Sequence, residues 1–173
     1  MKQTIKLLVL AALVGISAQS VNAQSKKDKK VSEKVQKKVV YQVFTRLFGN
    51  TNQNNKPWGT KEENGVGKFA DFTEVALDEI KKLGVTHIWY TGVPHHALVG
   101  DYTKYGISND DPDVVKGRAG SPYAVKDYYN VNPDLAVDPA NRLAEFEALI
   151  DRTHKAGLKL LIDIVPNHVA RRY

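Results

Sequence analysis

The 173-residue sequence predicts an α/β fold in which parallel strands are covered by helices. Two observations carry that expectation. Segments alternate in the order β-α-β-long loop-α-β, and the three strand segments are apolar nearly throughout, as strands buried on both faces are. A (β/α) barrel and a doubly wound sheet both satisfy this order.

Each element rests on local signals. VVYQVFTRLF (39–48) is rich in β-branched and aromatic residues and stops at the turn-forming GNTNQNN, which predicts the first strand. In FADFTEVALDEIKKLG (69–84), Asp71 and Glu74 have capping-box spacing. Phe72, Val75, Leu77, Ile80 and Leu83 supply an apolar stripe, and Gly84 is placed to end the helix. GVTHIWYTGV (84–93) predicts the second strand. From Pro94 to about Asp138 the chain is polar and rich in Gly, Pro, Asp and Tyr, an elaborated loop. A second helix is predicted from Asp138-Pro139, a cap followed by proline at the first helical position, through Leu143, Phe146 and Ile150 to Gly157. LKLLIDIV (158–165) is the third strand.

The amino terminus reads differently. Residues 1–23 have a short basic start (Lys2, Lys6), an apolar centre and a small-x-small ending, Val21-Asn22-Ala23. That is the pattern of a secretory signal peptide, too short in its apolar part for a membrane anchor. The expected location is therefore outside the cytoplasm, periplasmic or extracellular. Residues 24–38 are a lysine-rich linker of net charge +5, against +6 for the whole chain. With Lys2 and Lys6 set aside, 39–173 is near neutral, which disfavours nucleic acid as a partner of the folded part. The sequence has no cysteine, so disulfides and thiolate metal sites are excluded.

The chemistry concentrates in DIVPNH (163–168). On a strand, Leu160, Ile162 and Ile164 share one face and Leu161, Asp163 and Val165 the other. One face is aliphatic and suits helices. The other carries an acid just before the strand ends on Asn167 and His168, where a barrel would build its site. Taken alone, Asp163 reads better as a satisfied structural carboxylate, and Asn167-His168 as turn residues.

DIVPNH resembles the Asp-x-Val-x-Asn-His motif at the end of the third barrel strand in the α-amylase family of glycoside hydrolases (family 13). VYQVFTRLF resembles that family's first strand, LGVTHIWYTGV its second, and SPYAVKDYYNVNPDLA the segment preceding its second helix. The resemblance covers roughly 39–173 and implies the first three strands, with intervening helices, of an incomplete (β/α)8 TIM barrel. It also implies an α-glucan partner, starch or maltodextrin, hydrolysed with retention. Other activities of the family (pullulanase-like, cyclodextrin- or trehalose-directed, transglycosylase) and a non-catalytic carbohydrate-binding relative are the alternatives.

Residue by residue, the resemblance makes His168 a hydrogen-bonding partner of sugar hydroxyls and Tyr123 the aromatic platform beneath the same sugar. Asp163 becomes a supporting acid, and Asp127 with Tyr129 supports the loop. Asn167 matches a position that gives its side-chain oxygen to a structural calcium in many members, an ion that prefers oxygen ligands. Ser121-Pro122 departs from the family's His-Gly before the platform tyrosine. Of the remaining polar groups, one of His95 and His96 is expected to line the cleft, and Trp89 and Tyr90 are expected in the core. The run Asp110, Asp111, Asp113 reads as a solvated loop. The resemblance places the catalytic carboxylates after the fourth and fifth strands, so none is expected in this chain. It reads as a piece of a longer enzyme, inactive alone.

Overall fold

A computed structural model describes residues 36–173; the signal peptide expected at 1–23 and most of the linker expected at 24–38 lie outside them. In chain order the elements are β1 (Val40–Phe44), α1 (Lys61–Asn64), α2 (Glu74–Lys82), β2 (His87–Thr91), β3 (Pro94–His96), β4 (Val125–Val131), α3 (Arg142–Lys155) and β5 (Lys159–Ile162). Five short 3₁₀ turns punctuate the connections among these residues. The main sheet has the order β1-β2-β5, all parallel, with Trp89 opposite Gln42 on one side and Leu161 on the other. The parallel arrangement with covering helices is the one that the sequence order predicts.

The core forms where the helices meet this sheet. Phe69, Phe72, Leu77, Ile88, Tyr90, Leu135, Leu149 and Leu158 are fully or almost fully buried. Phe72 stacks on Phe48 with ring centroids 4.1 Å apart and meets the edge of Tyr90 at 4.9 Å, geometries that aromatic quadrupoles favour. The Tyr90 hydroxyl lies 2.8 Å from Thr153 Oγ1, which in turn donates to Leu149 O at 2.8 Å. Burial pushes the Tyr90 phenol up to about 12, so it acts only as a neutral donor.

Four sequence expectations are corrected. The first strand stops at Phe44 because the chain turns there, with Leu47 N and Phe48 N both bonded to Phe44 O. The cap of α2 is Thr73, whose hydroxyl accepts from Ala76 N at 3.2 Å; Asp71 instead turns its carboxylate back onto Lys68 N at 2.6 Å. Asp138 caps a 3₁₀ turn, Pro139–Asn141, and regular α-helix begins only at Arg142. The stretch expected as one long loop contains an antiparallel pair, β3 with β4, in which His95 lies opposite Asp127. Irregular register at β3 hid that pair from a search for period-2 alternation.

A buried ionic cluster fastens β1 to the approach of α3. Arg46 Nη1 lies 2.9 Å from Asp134 Oδ2, the Tyr102 hydroxyl donates to Oδ1 of the same carboxylate, and Lys61 Nζ donates to the Tyr102 hydroxyl at 2.7 Å. Burial alone would raise the Asp134 carboxyl, but the charge and hydrogen bond of Arg46, with the Tyr102 hydroxyl, outweigh it and hold it below 3.8. Asp134 therefore stabilises the fold above its ordinary range and loses that contribution as the pH falls through its lowered value. Replacing Arg46 by Met leaves a buried carboxylate without its main partner. Arg46→Met is expected to cost about 3–5 kcal/mol at pH 7, read by urea unfolding; burial then raises the unpartnered carboxyl, so the gap from the parent should narrow as acid protonates it in the variant before the parent.

Candidate functional site

The site is assembled at the carboxyl ends of β2 and β5. Pairing of β5 stops at Ile162, opposite Tyr90, and the next residue, Asp163, is almost fully buried. Its Oδ1 accepts from Trp89 Nε1 at 2.6 Å and its Oδ2 from Gly92 N at 3.0 Å. Trp89 lies opposite Leu161 in the register, so Trp89, Leu161 and Asp163 fall on one face, as strand alternation requires. Asp163 thus locks the end of β5 to the end of β2. The strand is shorter than the sequence suggests, and Ile164, expected to pack on helices, is exposed because regular pairing ends before it.

Gly92 is the hinge of this corner. Its φ of +84° lies where a side chain is strained, and a β-carbon there would stand 3.4 Å from Pro122 and 3.8 Å from Phe44. The ends of β1 and β2 and the turn carrying Pro122-Tyr123 therefore converge on one point. That turn closes by Ala124 N donating to Ser121 O at 3.0 Å. Immediately before it, Gly120 has φ +75°, and a β-carbon would come within 1.8 Å of Ala97 O. Tyr123 emerges from the turn with 41% of its surface exposed, directly ahead of β4.

The segment after Asp163 is held at both ends by that same strand. The Tyr128 hydroxyl donates to Val165 O, and Ala170 N donates to Val125 O at 2.8 Å. Between these clasps Asn167 and His168 are exposed, with His168 Nδ1 2.8 Å from Asn167 Oδ1. The structure thus brings Asp163, Tyr123 and the Asn167-His168 pair onto segments tied to one corner of the fold. Asp127 is half-buried on β4 and accepts from Tyr129 N at 2.8 Å, stiffening its own strand. Tyr129, expected to support the loop, is instead 92% exposed. Asn167 offers one oxygen, already facing His168. Among the described residues no group of three or more His, Cys, Asp or Glu is placed to hold a metal.

Three other expectations resolve here. His95 and His96 are both buried on β3. His96 sits 3.1 Å from Pro94 O and 3.0 Å from Ala119 O, and its single N–H can donate to one of these two carbonyls. His95 lines a cavity with Lys126, Asp127 and Arg172, and neither of its ring nitrogens has a partner. The acidic run is not uniformly solvated: Asp110 forms a buried ion pair with Lys126 at 2.9 Å, and Asp111 caps the turn Pro112–Val114. Tyr90 is core, but Trp89 is only half-buried. Sequence reading missed its pairing with Asp163, and the signal available was their common face.

A family description, the alpha amylase catalytic domain, matches residues 42–173. The chain belongs to the α-amylase family of glycoside hydrolases. Similar proteins within that family include an alpha-glucosidase of Pediococcus pentosaceus, 29% identical over 135 residues, covering 78% of this chain and 18% of the relative. Pullulanase A of Streptococcus pneumoniae is 30% identical over 140 residues, covering 77% and 10%. Trehalose-6-phosphate hydrolase of Bacillus subtilis is 28% identical over 137 residues, covering 79% and 18%. Among solved structures, trehalulose synthase MutB from Pseudomonas mesoacidophila is 25% identical, with a TM-score of 0.48 over 79% of this chain and 18% of that one. The chain spans less than a fifth of the length of these α-amylase relatives.

Two outcomes test this geometry. Asp163→Asn keeps one acceptor but turns an amide donor towards Trp89 Nε1 or Gly92 N, so one N–H loses its partner. The cost should be about 1–3 kcal/mol in urea unfolding. Burial, helped by the charges of Lys126 and His96, lowers His95 to about 4. The unfolded chain therefore binds this proton first, and stability should fall as the pH drops from 6.5 towards 4. His95→Phe should flatten that acid-side slope in melting temperatures recorded across the interval.

Proposed function

We propose that residues 39–173 form the amino-terminal part of the catalytic barrel of an exported, retaining α-glucan hydrolase. The barrel is the (β/α)8 type, of which this chain supplies three strands, and the bonds cut are α-1,4-glucosidic bonds of starch or maltodextrin. Family membership supports the glycosidase class, and the signal-like residues 1–23 support export. The observation that carries the reading is the corner itself. Asp163 fixes the strand ends, and Tyr123 and His168 stand exposed on segments fastened to β4.

In this reading a pyranose ring lies on the face of Tyr123. His168 donates through Nδ1 to Asn167 Oδ1, which leaves Nε2 free to accept from a sugar hydroxyl. Retaining hydrolysis needs a nucleophilic carboxylate and an acid/base carboxylate roughly 5–5.5 Å apart. Asp163 spends both oxygens on Trp89 and Gly92, and Asp110 is bound to Lys126, so neither is available for that work. The resemblance assigns both catalytic groups to strands beyond the third. A calcium ion at Asn167 would share Oδ1 with His168, and among the described residues no group of three or more His, Cys, Asp or Glu is placed to complete its shell. A second reading, a pullulanase-like or trehalose-directed activity, is favoured by the similar strength of the matches to Pullulanase A and Trehalose-6-phosphate hydrolase.

In the complete enzyme, His168→Ala should lower kcat/KM about 10–100-fold, the worth of one or two hydrogen bonds. Its melting temperature should hold, because the side chain is exposed. A loss of stability with unchanged kcat/KM would make the histidine structural. The 173-residue chain alone should release no reducing sugar from starch, and release by the pure chain would overturn the assignment of the carboxylates.

A further inference from the structure

Trp58 is the unusual residue of the β1–α2 connection. It is 59% exposed, yet its backbone sits at φ +56°, in the left-handed region, as does Asn55 at +48°. For a bulky residue that conformation costs on the order of 1–3 kcal/mol and persists only where the surroundings impose it. Here they do. Asn50, Asn52 and Asn54 each donate a side-chain amide to the carbonyls of Asn64 or Glu63, at 2.9–3.1 Å. The Asn64 side chain accepts from Lys56 N at 2.8 Å and donates to Lys56 O at 2.9 Å. A Thr60–Glu63 capping box opens α1 shortly after the tryptophan. The loop is built to hold an indole out of the core.

The indole stands on a cavity of about 530 Å³ formed by the 46–65 and 99–119 segments, a volume within the range of small-molecule sites. Four basic side chains lining it face three acidic ones. The innermost of these, Arg46 and Asp134, already neutralise each other at 2.9 Å. A near-balanced wall gives an anion little preference, and its apolar part, Leu47, Val99, Tyr102 and Trp58, is interleaved with polar groups. It suits a neutral polyhydroxylated molecule, whose C–H face would lie on the indole while its hydroxyls meet Asn55, Asp101 and Arg118. None of Tyr123, Asp127, Asp163, Asn167 or His168 lines this cavity. We propose that it is a second α-glucan-binding site, with Trp58 as its platform. The choice of an α-glucan rests on the function proposed above.

The test is migration of the 173-residue chain in native gels with and without amylopectin, together with maltoheptaose titration followed by tryptophan fluorescence. Trp58→Gly suits the left-handed backbone, so it removes the platform without straining the loop. It should weaken retardation at least 10-fold and abolish the maltoheptaose-dependent fluorescence change, at an equal or higher melting temperature. Trp58→Phe should keep part of the binding, and Tyr123→Ala should leave the Trp58 signal intact. Retardation by Trp58→Gly equal to the parent overturns the proposal, as does a parent that amylopectin does not retard. A fall of several degrees in the melting temperature of Trp58→Gly does so too, because the residue would then be structural. If retardation is lost only in Tyr123→Ala, this proposal fails while the α-glucan reading stands; if only in Trp58→Gly, this proposal stands and the role of Tyr123 as a sugar platform fails.

Discussion

The carboxylate of Asp163 is the constraint on which the corner bearing Tyr123 and His168 depends. Parallel strands are joined by ladder hydrogen bonds that say nothing about where a strand should end. Asp163 supplies that information by accepting from the indole of Trp89 and the amide of Gly92, two groups at the end of the neighbouring strand. Gly92 in turn, at φ +84°, turns the chain beside Pro122 and Phe44. One buried acid therefore sets the relative height of β2 and β5 and the seat of the turn that presents Tyr123. A buried carboxylate is costly unless its oxygens are satisfied, and here both are.

A second tier of buried charge does comparable work away from that corner. Arg46, Tyr102 and Lys61 gather on Asp134, and Lys126 pairs with Asp110. Each joins segments far apart in sequence, and each ties an irregular connection to a regular element. The loops between β2 and α3 are long, but their backbone is anchored by side chains rather than left to solvent. His96, neutral in its buried setting, lies between the carbonyls of Pro94 and Ala119 and can donate its one N–H to either of them.

The parallel sheet, its helices and the core stripe of α2 were legible because period-2 and period-3.6 patterns are local properties of the chain. Leu77 and Ile80 fall in the core for that reason, and Val75 and Leu83, at the margins of the stripe, stay exposed. The β3–β4 pair was not legible, since a three-residue strand with a shifting register leaves no alternation to read. Caps misled in a consistent way: Asp138 caps a tight turn and Asp71 closes one back onto Lys68 N, each one step before its helix begins. At the site, the residue types in DIVPNH pointed to Asp163, Asn167 and His168. The partners of Asp163 depend on a register between strands 70 residues apart, which no single segment encodes. Trp58 escaped notice because its peculiarity is a backbone angle, and a sequence carries no direct record of that.

The two clasps on β4, Tyr128 to Val165 and Val125 to Ala170, have a thermodynamic consequence. A free loop bearing a histidine must be ordered when a ligand arrives, and each immobilised side chain then subtracts about 0.5–1.5 kcal/mol from affinity. With residues 165 and 170 both tied to one strand, much of that entropy is surrendered during folding. The loop around His168 is ordered before any ligand reaches it, and that ligand meets a surface whose disorder has largely been removed in advance.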